Sequence, residues 1–283
     1  MEVALPKVKQ PEASRPSGPR GALGKMGLMK AILAAALGVI FSHLGCPTFG
    51  ADTGISMRRL TGPIYLVEDD HYDRTNSLVY VGLSSVTVVG ATWTPETARL
   101  LDEQVKRVTD RPISEVIDTS PDPEWSGGNA YWKRLGVKIV AVHVTTEQLE
   151  KHWASTVAAA RKNHPTYPDL PLVLPTETYS DQFVLQDGAV RAFYLGQSHT
   201  EADIFVYFPR EQVLDAGSIL KEQLGNMANA NTEQYSKTLH KLQELHLNIR
   251  TIISGHWSAV HGPELVDRYL DLLELNAQQG SRR

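Results

Sequence analysis

Short apolar segments rich in β-branched residues alternate along this chain with longer segments of helical periodicity, and this order occurs twice. In the first half, segments bounded by Asp, Asn, Gly and Ser predict strands at residues 64–67, 78–81, 86–89, 113–117 and 138–142. In the second half, strands are predicted at residues 183–185, 190–193, 204–208, 212–214 and 251–253. Strands that alternate with helices in two successive halves favour a layered αβ domain.

The helices are predicted from their start signals and from the spacing of apolar residues. Thr94 supplies an N-cap and Pro95 a first-turn proline, so a helix begins at Pro95. Apolar side chains follow at helical spacing, among them Leu101, Val105 and Val108. Further helices are predicted at residues 128–135 and 146–162, within residues 233–245, and from Pro263.

Length and charge limit the classes of function. A chain of 283 residues, of which 42% are hydrophobic, can bury a substantial core, and its length suits one domain. The formal net charge of -4 offers no basic field for nucleic acid. After an apolar run near the N-terminus, no second run is long enough to span a membrane. We therefore expect a small-molecule partner and a monomer.

The N-terminal region divides into two segments. Residues 1–28 are rich in Pro, Gly and basic residues, and we expect them to be an upstream extension that is not native. Residues 29–50 combine Lys30, an apolar run and small residues before a cleavage point, which predicts a secretory signal peptide. Cleavage there would leave a single domain, residues 51–283, in the periplasm. The alternative, a short buried or anchoring helix, is less favoured because the run is short for a membrane span.

Cys46 is the only cysteine, and it lies in the segment that cleavage would remove. A lipoprotein is disfavoured, because His43 stands where a lipobox usually has an aliphatic residue. The mature chain would then contain neither a disulfide nor a thiolate ligand. That is compatible with the periplasm, which oxidises exposed thiols.

Several sequence blocks occur in the order known from one enzyme family. They are NSLVY at residues 76–80, VTVVGATWTPETAR at 86–99, GGNAYWK at 127–133, YPDLPLVLP at 167–175, SILKEQLGN at 218–226 and HGPEL at 261–265. With these blocks the chain resembles the metallo-β-lactamases, most closely their mono-zinc, carbapenem-hydrolysing subclass. The resemblance implies an αβ/βα four-layer sandwich and a zinc-activated water that opens the β-lactam amide.

The positions that match the family's zinc ligands carry altered residues. A loop that holds Asn, His and Asp in the subclass has Ser120, Asp122 and Glu124 here. Alternate spacing in an extended loop would direct these three side chains to one side. Two prolines, Pro121 and Pro123, would stiffen that loop.

The remaining matched ligand positions are His199, Ser218 and His256, and Ser218 falls where the subclass has cysteine. The subclass's Asp, Cys and His set thus becomes Glu124, Ser218 and His256. Replacing a thiolate by a neutral hydroxyl is expected to lower zinc affinity sharply. Asp122 and His199 could complete a His and carboxylate site for one zinc ion.

The resemblance also implies how a substrate would be bound and hydrolysed. Lys221 matches the lysine that binds the β-lactam carboxylate, and Asn226 matches the asparagine that helps to hold the substrate. Asp122 or Glu124 would take the proton of the attacking water, with His199 as a further catalytic group. Substrate recognition is thus better retained than metal binding.

Each assignment has an alternative. Asp122 and Glu124 could be solvated loop acids, the histidines could be core or capping residues, and Ser218 could satisfy the local backbone. His261 is interpreted as structural. Three functions follow: a metal-dependent hydrolase of β-lactams, a non-catalytic protein that binds a carboxylate, and a hydrolase of another substrate such as a lactone.

Overall fold

We describe residues 54–280 of the chain from a computed structural model. The predicted upstream extension at residues 1–28 and signal peptide at residues 29–50 lie outside the described residues. No helix among the described residues is long and apolar enough to cross a membrane.

The first half of the described chain forms a seven-stranded sheet in sequential order. Neighbouring strands pair antiparallel from the first to the fourth and parallel from the fourth to the seventh. The strands are β1 (Ile55–Thr61), β2 (Ile64–Asp69), β3 (Thr75–Val81), β4 (Val86–Val89), β5 (Ile113–Ile117), β6 (Lys138–Val142) and β7 (Glu177–Tyr179).

The second half forms a six-stranded sheet, whose strands are also in sequential order. Its pairs are antiparallel except for one parallel pair, between the strand at residues 213–215 and the strand at residues 251–253. The strands are β8 (Gln182–Leu185), β9 (Val190–Phe193), β10 (Phe205–Phe208), β11 (Val213–Asp215), β12 (Thr251–Ile253) and β13 (Val260–His261).

Six α-helices flank the two sheets within the described residues. They are α1 (Pro95–Val108), α2 (Pro123–Ser126), α3 (Asn129–Arg134), α4 (His143–Asn163), α5 (Thr232–Glu244) and α6 (Leu265–Gly280). A short 3-10 helix, Gln186–Gly188, connects β8 to β9.

Three apolar clusters hold these elements in layers. The central cluster joins inward side chains of both sheets, for example Leu66 and Val206. A second cluster packs α1 and α3 on the outer face of the first sheet, and a third packs α5 and α6 on the second sheet. Each sheet is therefore buried on both faces, and the αβ/βα four-layer sandwich is confirmed.

The start of α1 agrees with its predicted signals. The Thr94 side chain accepts a hydrogen bond from the backbone N–H of Thr97, and the Thr97 side chain accepts one from the backbone N–H of Thr94. Pro95 occupies the first turn, where its missing N–H costs no helical hydrogen bond. This reciprocal cap holds the chain as it leaves β4.

The segment that follows β5 differs from its prediction as an extended loop. Asp122 is extended, with φ -72° and ψ 150°, but the next residues form the single helical turn α2. Pro123 stands at the start of this turn, and its restricted φ suits a first helical position. The prediction was therefore wrong for Glu124, which lies on a helical turn and not on an extended chain.

Candidate functional site

One cleft gathers most of the predicted site. It has a volume of about 460 Å³, and its lining includes Asp122, Glu124, His199, Lys221, Asn226 and His256. Ser218 lies behind this lining and is 2% exposed. Asp122 and Glu124 are only partly exposed and line a shared cavity, which favours a role in the site over the alternative of solvated loop acids.

Short segments that follow strands carry these side chains. Asp122 and Glu124 come after β5, and His199 follows β9. Ser218 and Lys221 come after β11, and His256 comes after β12. The site therefore combines segments of both sheets, at the ends of strands where αβ folds commonly place ligands.

A chain of hydrogen bonds organises the back of the cleft. The Trp125 indole N–H donates to Ser218 Oγ over 3.0 Å. His256 Nδ1 lies 3.1 Å from the carbonyl of Arg74, which can only accept, so Nδ1 carries the ring proton. His256 Nε2 is therefore an acceptor, and the Ser218 hydroxyl donates to it over 3.3 Å. Burial lowers the pKa of His256 to about 4 and keeps this ring neutral.

A second group of contacts surrounds the ammonium of Lys221, which is 2% exposed. It donates to His199 Nδ1 over 3.0 Å, so the neutral His199 ring carries its proton on Nε2. Burial, followed by the charge of Lys221, lowers the pKa of His199 to about 4. Burial also lowers the pKa of Lys221 to about 8, against the opposing effect of Asp203. Lys221 thus stays mostly charged at neutral pH.

The carboxyl groups of the cleft are desolvated. Burial and then the charge of Asp203 raise the pKa of Asp122 to about 7, while Lys221 opposes that shift. Burial and then the neighbouring Asp122 raise the pKa of Glu124 well above its usual range. Glu124 Oε1 lies 3.9 Å from His256 Nε2. In this environment at least one of the two carboxyl groups is favoured to be protonated.

Two buried side chains that sequence reasoning did not select shape the site. Trp125 is 2% exposed and supplies the indole donor to Ser218. Asp203 accepts hydrogen bonds from the Ser198 hydroxyl and the Thr200 backbone N–H, at 3.0 and 2.5 Å. Asp203 lies only four positions after His199 in the sequence, and this proximity is a signal that could have identified it. No sequence signal separates Trp125 from an ordinary core tryptophan.

Aromatic residues and α4 form another wall of the cleft. Trp93 is 4% exposed and packs against Tyr72 and Tyr167, with ring centroids 5.4 and 6.1 Å away. Trp93 packs in this aromatic group and also contributes to the cleft surface. His261, the last residue of β13, donates from Nε2 to the Ser258 carbonyl over 2.7 Å and lies outside the cleft lining.

The donor set does not fit a zinc ion in its present arrangement. Within residues 54–280, no group of three His, Cys, Asp or Glu side chains is placed to hold a metal. A metal-binding histidine normally donates its second N–H to an acceptor. His256 does so, but His199 accepts from Lys221, and the lone pair of His256 Nε2 receives the Ser218 hydroxyl. Zinc binding would require these bonds to be exchanged.

Comparisons with known proteins agree with this architecture. The family model described as "Metallo-beta-lactamase superfamily" matches residues 72–256. Metallo-beta-lactamase IND-1 of Chryseobacterium indologenes is 27% identical over 204 residues, which cover 70% of this chain and 77% of that protein. A type 2 metallo-beta-lactamase of Elizabethkingia meningoseptica is 23% identical over 241 residues, covering 82% and 89% of the two chains.

Solved structures show the same fold. DIM-1 metallo-beta-lactamase matches with a TM-score of 0.67 at 17% identity, over 78% of this chain and 98% of that one. TMB-1 matches with a TM-score of 0.68 at 15% identity, over 79% and 99% of the two chains. The matched family model covers more than half of the sequence, and the two sheets and their helices follow the family's fold. The chain therefore belongs to the metallo-β-lactamase superfamily.

Proposed function

We propose that the protein is a slow hydrolase of β-lactam-like amides, with carbapenems as the substrate class, that recognises its substrate by a ring carboxylate. The observation that carries this proposal is the charged, buried Lys221 in the same cleft as Asp122. The superfamily membership supports hydrolysis, and the sequence resemblance to carbapenem-hydrolysing members supports the substrate class.

Recognition would rest on Lys221 and Asn226. An ammonium has three N–H donors, and His199 receives one of them, which leaves donor capacity for a substrate carboxylate. A charge-assisted hydrogen bond in a partly dry cleft is stronger than one between neutral groups. Asn226 lines the same cleft and would orient the substrate through its amide.

The hydrolytic step uses groups of this chain. Water attacks the amide carbonyl carbon, and the Asp122 carboxylate takes the water's proton as the carbon–oxygen bond forms. The carbon–nitrogen bond then breaks, and the proton passes from Asp122 to the leaving nitrogen. A positioned general base contributes about 10² to 10⁴-fold, so a rate well below that of a zinc-activated water is expected.

Homologues in this family use zinc, and for this chain we propose weak binding of one zinc ion. Glu124, Ser218 and His256 would be the first groups to contact one zinc ion, with Asp122 and His199 nearby. A neutral hydroxyl in place of a thiolate makes this a poor zinc set. The non-catalytic carboxylate binder is the second candidate, favoured by the Lys221 contact with His199.

Imipenem turnover tests the proposal in the presence of a strong zinc chelator and, separately, of added zinc. We expect slow ring opening that survives the chelator, is lost in Asp122→Asn, and persists in the matched control Glu222→Gln. Glu222 neighbours Lys221 in sequence and does not line the cleft. Ring opening that needs zinc would overturn the metal-free step. Tight imipenem binding without any opening would establish the second candidate.

A further inference from the structure

Trp257 combines an uncommon backbone conformation with an exposed indole. Its φ is +57°, a left-handed value that is a real outlier for a bulky residue. The residue is 39% exposed and lines the cleft. Among the large apolar side chains exposed in residues 54–280, only Trp257 belongs to the cleft lining.

Contacts from β3 hold this backbone in place. Asn76 is fully buried, and its side-chain amide donates to the carbonyls of Ser254 and Trp257, at 2.9 and 3.2 Å. The Asn76 backbone N–H donates to the Gly255 carbonyl over 2.8 Å. A strained conformation persists only where its surroundings determine it, and these bonds provide that constraint.

The indole rests on the segment that carries the substrate-binding residues. A Cβ added to Gly225 would lie 2.9 Å from Trp257 Cη2, so the ring packs directly on the Gly225 backbone. Gly225 precedes Asn226 and has φ +64°. The Trp257 ring also lies 6.1 Å from the His256 ring, between centroids. Trp257 therefore lies at the junction of the His256 and Asn226 segments.

We propose that Trp257 determines specificity by binding the apolar ring body of a ligand whose carboxylate is held by Lys221. This inference rests on the carboxylate recognition of the proposed function, and it adds a selection for ligands with a flat or bicyclic body. An exposed indole offers a large, rigid contact surface at low conformational cost. Small side chains of α4 in the lining, Ala159 and Ala160, leave room for such a body.

The test compares two probes by chemical-shift titration: 2-naphthoate, which has a carboxylate and a flat apolar body, and acetate, which has the carboxylate alone. In the unchanged protein we expect naphthoate to bind more tightly. Trp257→Ala is expected to raise the Kd for naphthoate about tenfold and to leave that for acetate unchanged. Trp257→Phe is expected to restore most of the naphthoate affinity. Leu83→Ala, which removes a 90% exposed side chain outside the cleft, is the matched control.

The remaining outcomes separate this inference from the proposed function. If Trp257→Ala lowers the affinities for acetate and naphthoate by the same factor, the ring only supports the Asn226 segment. That result would overturn the specificity role. Equal affinities for both probes in the unchanged protein would overturn it as well, with carboxylate recognition intact. Binding of neither probe would overturn carboxylate recognition itself. If Trp257→Ala does not fold, Trp257→Leu provides the same comparison.

Discussion

The two sides of the cleft use their polar groups in opposite ways. On the His256 side, Trp125, Ser218 and the Arg74 carbonyl form a neutral hydrogen-bond chain with the imidazole. On the Lys221 side, a buried ammonium is surrounded by acids, and it also bonds His199. A zinc site needs several lone pairs directed at one point. On the first side, the lone pair of His256 Nε2 already accepts a hydrogen bond from the Ser218 hydroxyl. On the second side, the Lys221 ammonium occupies the lone pair of His199 Nδ1.

The largest expected effect concerns Lys221. Lys221→Met would remove the cation that offsets Asp203 and Asp122 and that would hold a substrate carboxylate. We expect the Kd for imipenem to rise about 100-fold, because truncating a buried charge partner costs several kcal/mol. Isothermal titration calorimetry measures this. Lys237→Met, at an exposed lysine on α5, should leave the Kd unchanged. A change of less than threefold in Lys221→Met would refute the charged side of the comparison.

Restoring a thiolate tests the neutral side. Ser218→Cys should raise zinc affinity tenfold or more, since a thiolate is an anionic, soft ligand that does not depend on donating to His256. Competition against a chromogenic chelator measures the affinity. Ser126→Cys places a thiol at another buried position near Asp122 and should bind zinc no better than the parent.

A triple variant extends that test to the whole ligand set. Adding Asp122→His and Glu124→Asp to Ser218→Cys should increase zinc-dependent imipenem turnover beyond that of the single variant. No gain would show that residues around the ligands, Trp125 among them, also prevent the site from forming.

The pH dependence of carboxylate binding is expected to distinguish the Lys221 side of the cleft from the His256 side. The acids Asp203, Glu124 and Asp122 face Lys221, whose pKa of about 8 lies below its usual range. Carboxylate affinity should therefore be highest below pH 7 and fall up to about tenfold for each pH unit above 8, as the ammonium loses its proton. The pKa of His256, about 4, predicts no contribution from its imidazole between pH 5 and 9. Titration of naphthoate at fixed ionic strength from pH 5 to 10 measures both. A flat profile across pH 8 would contradict the role of Lys221.

The smallest effect concerns the hydrogen bond between Trp125 and Ser218. Trp125→Phe keeps most of the ring but removes the donor, and we expect it to lower the free energy of unfolding by about 1 kcal/mol beyond its packing loss. A double-mutant cycle with Ser218→Ala isolates that coupling by denaturant unfolding. Additive effects of the two changes would show that the chain of bonds contributes nothing to stability.

Local signals in the sequence were sufficient for most of the fold. The α1 cap was predicted from Thr94 and Pro95 and is present as expected. Three strands were not predicted: β1, β7 and β13. Two of them have only two or three residues, and β1 carries Arg58 and Arg59 on an edge of its sheet, so the apolar pattern there is weak. Such strands form because a neighbouring strand is available for pairing, which no local pattern encodes.

Residue identity and spacing were enough to indicate the family, the layered αβ architecture and the side chains that meet in the cleft. How those side chains use their donors and lone pairs depended on tertiary contacts. Lys221 forms a hydrogen bond with His199, 22 positions away in the sequence, and Trp125 forms one with Ser218, 93 positions away. Hydrogen bonds act over about 3 Å, and they are set by the packing of two sheets rather than by neighbours in the chain. The same residues could therefore have formed a metal site, and it is their long-range pairing that directs them to hydrogen bonds and an internal ammonium.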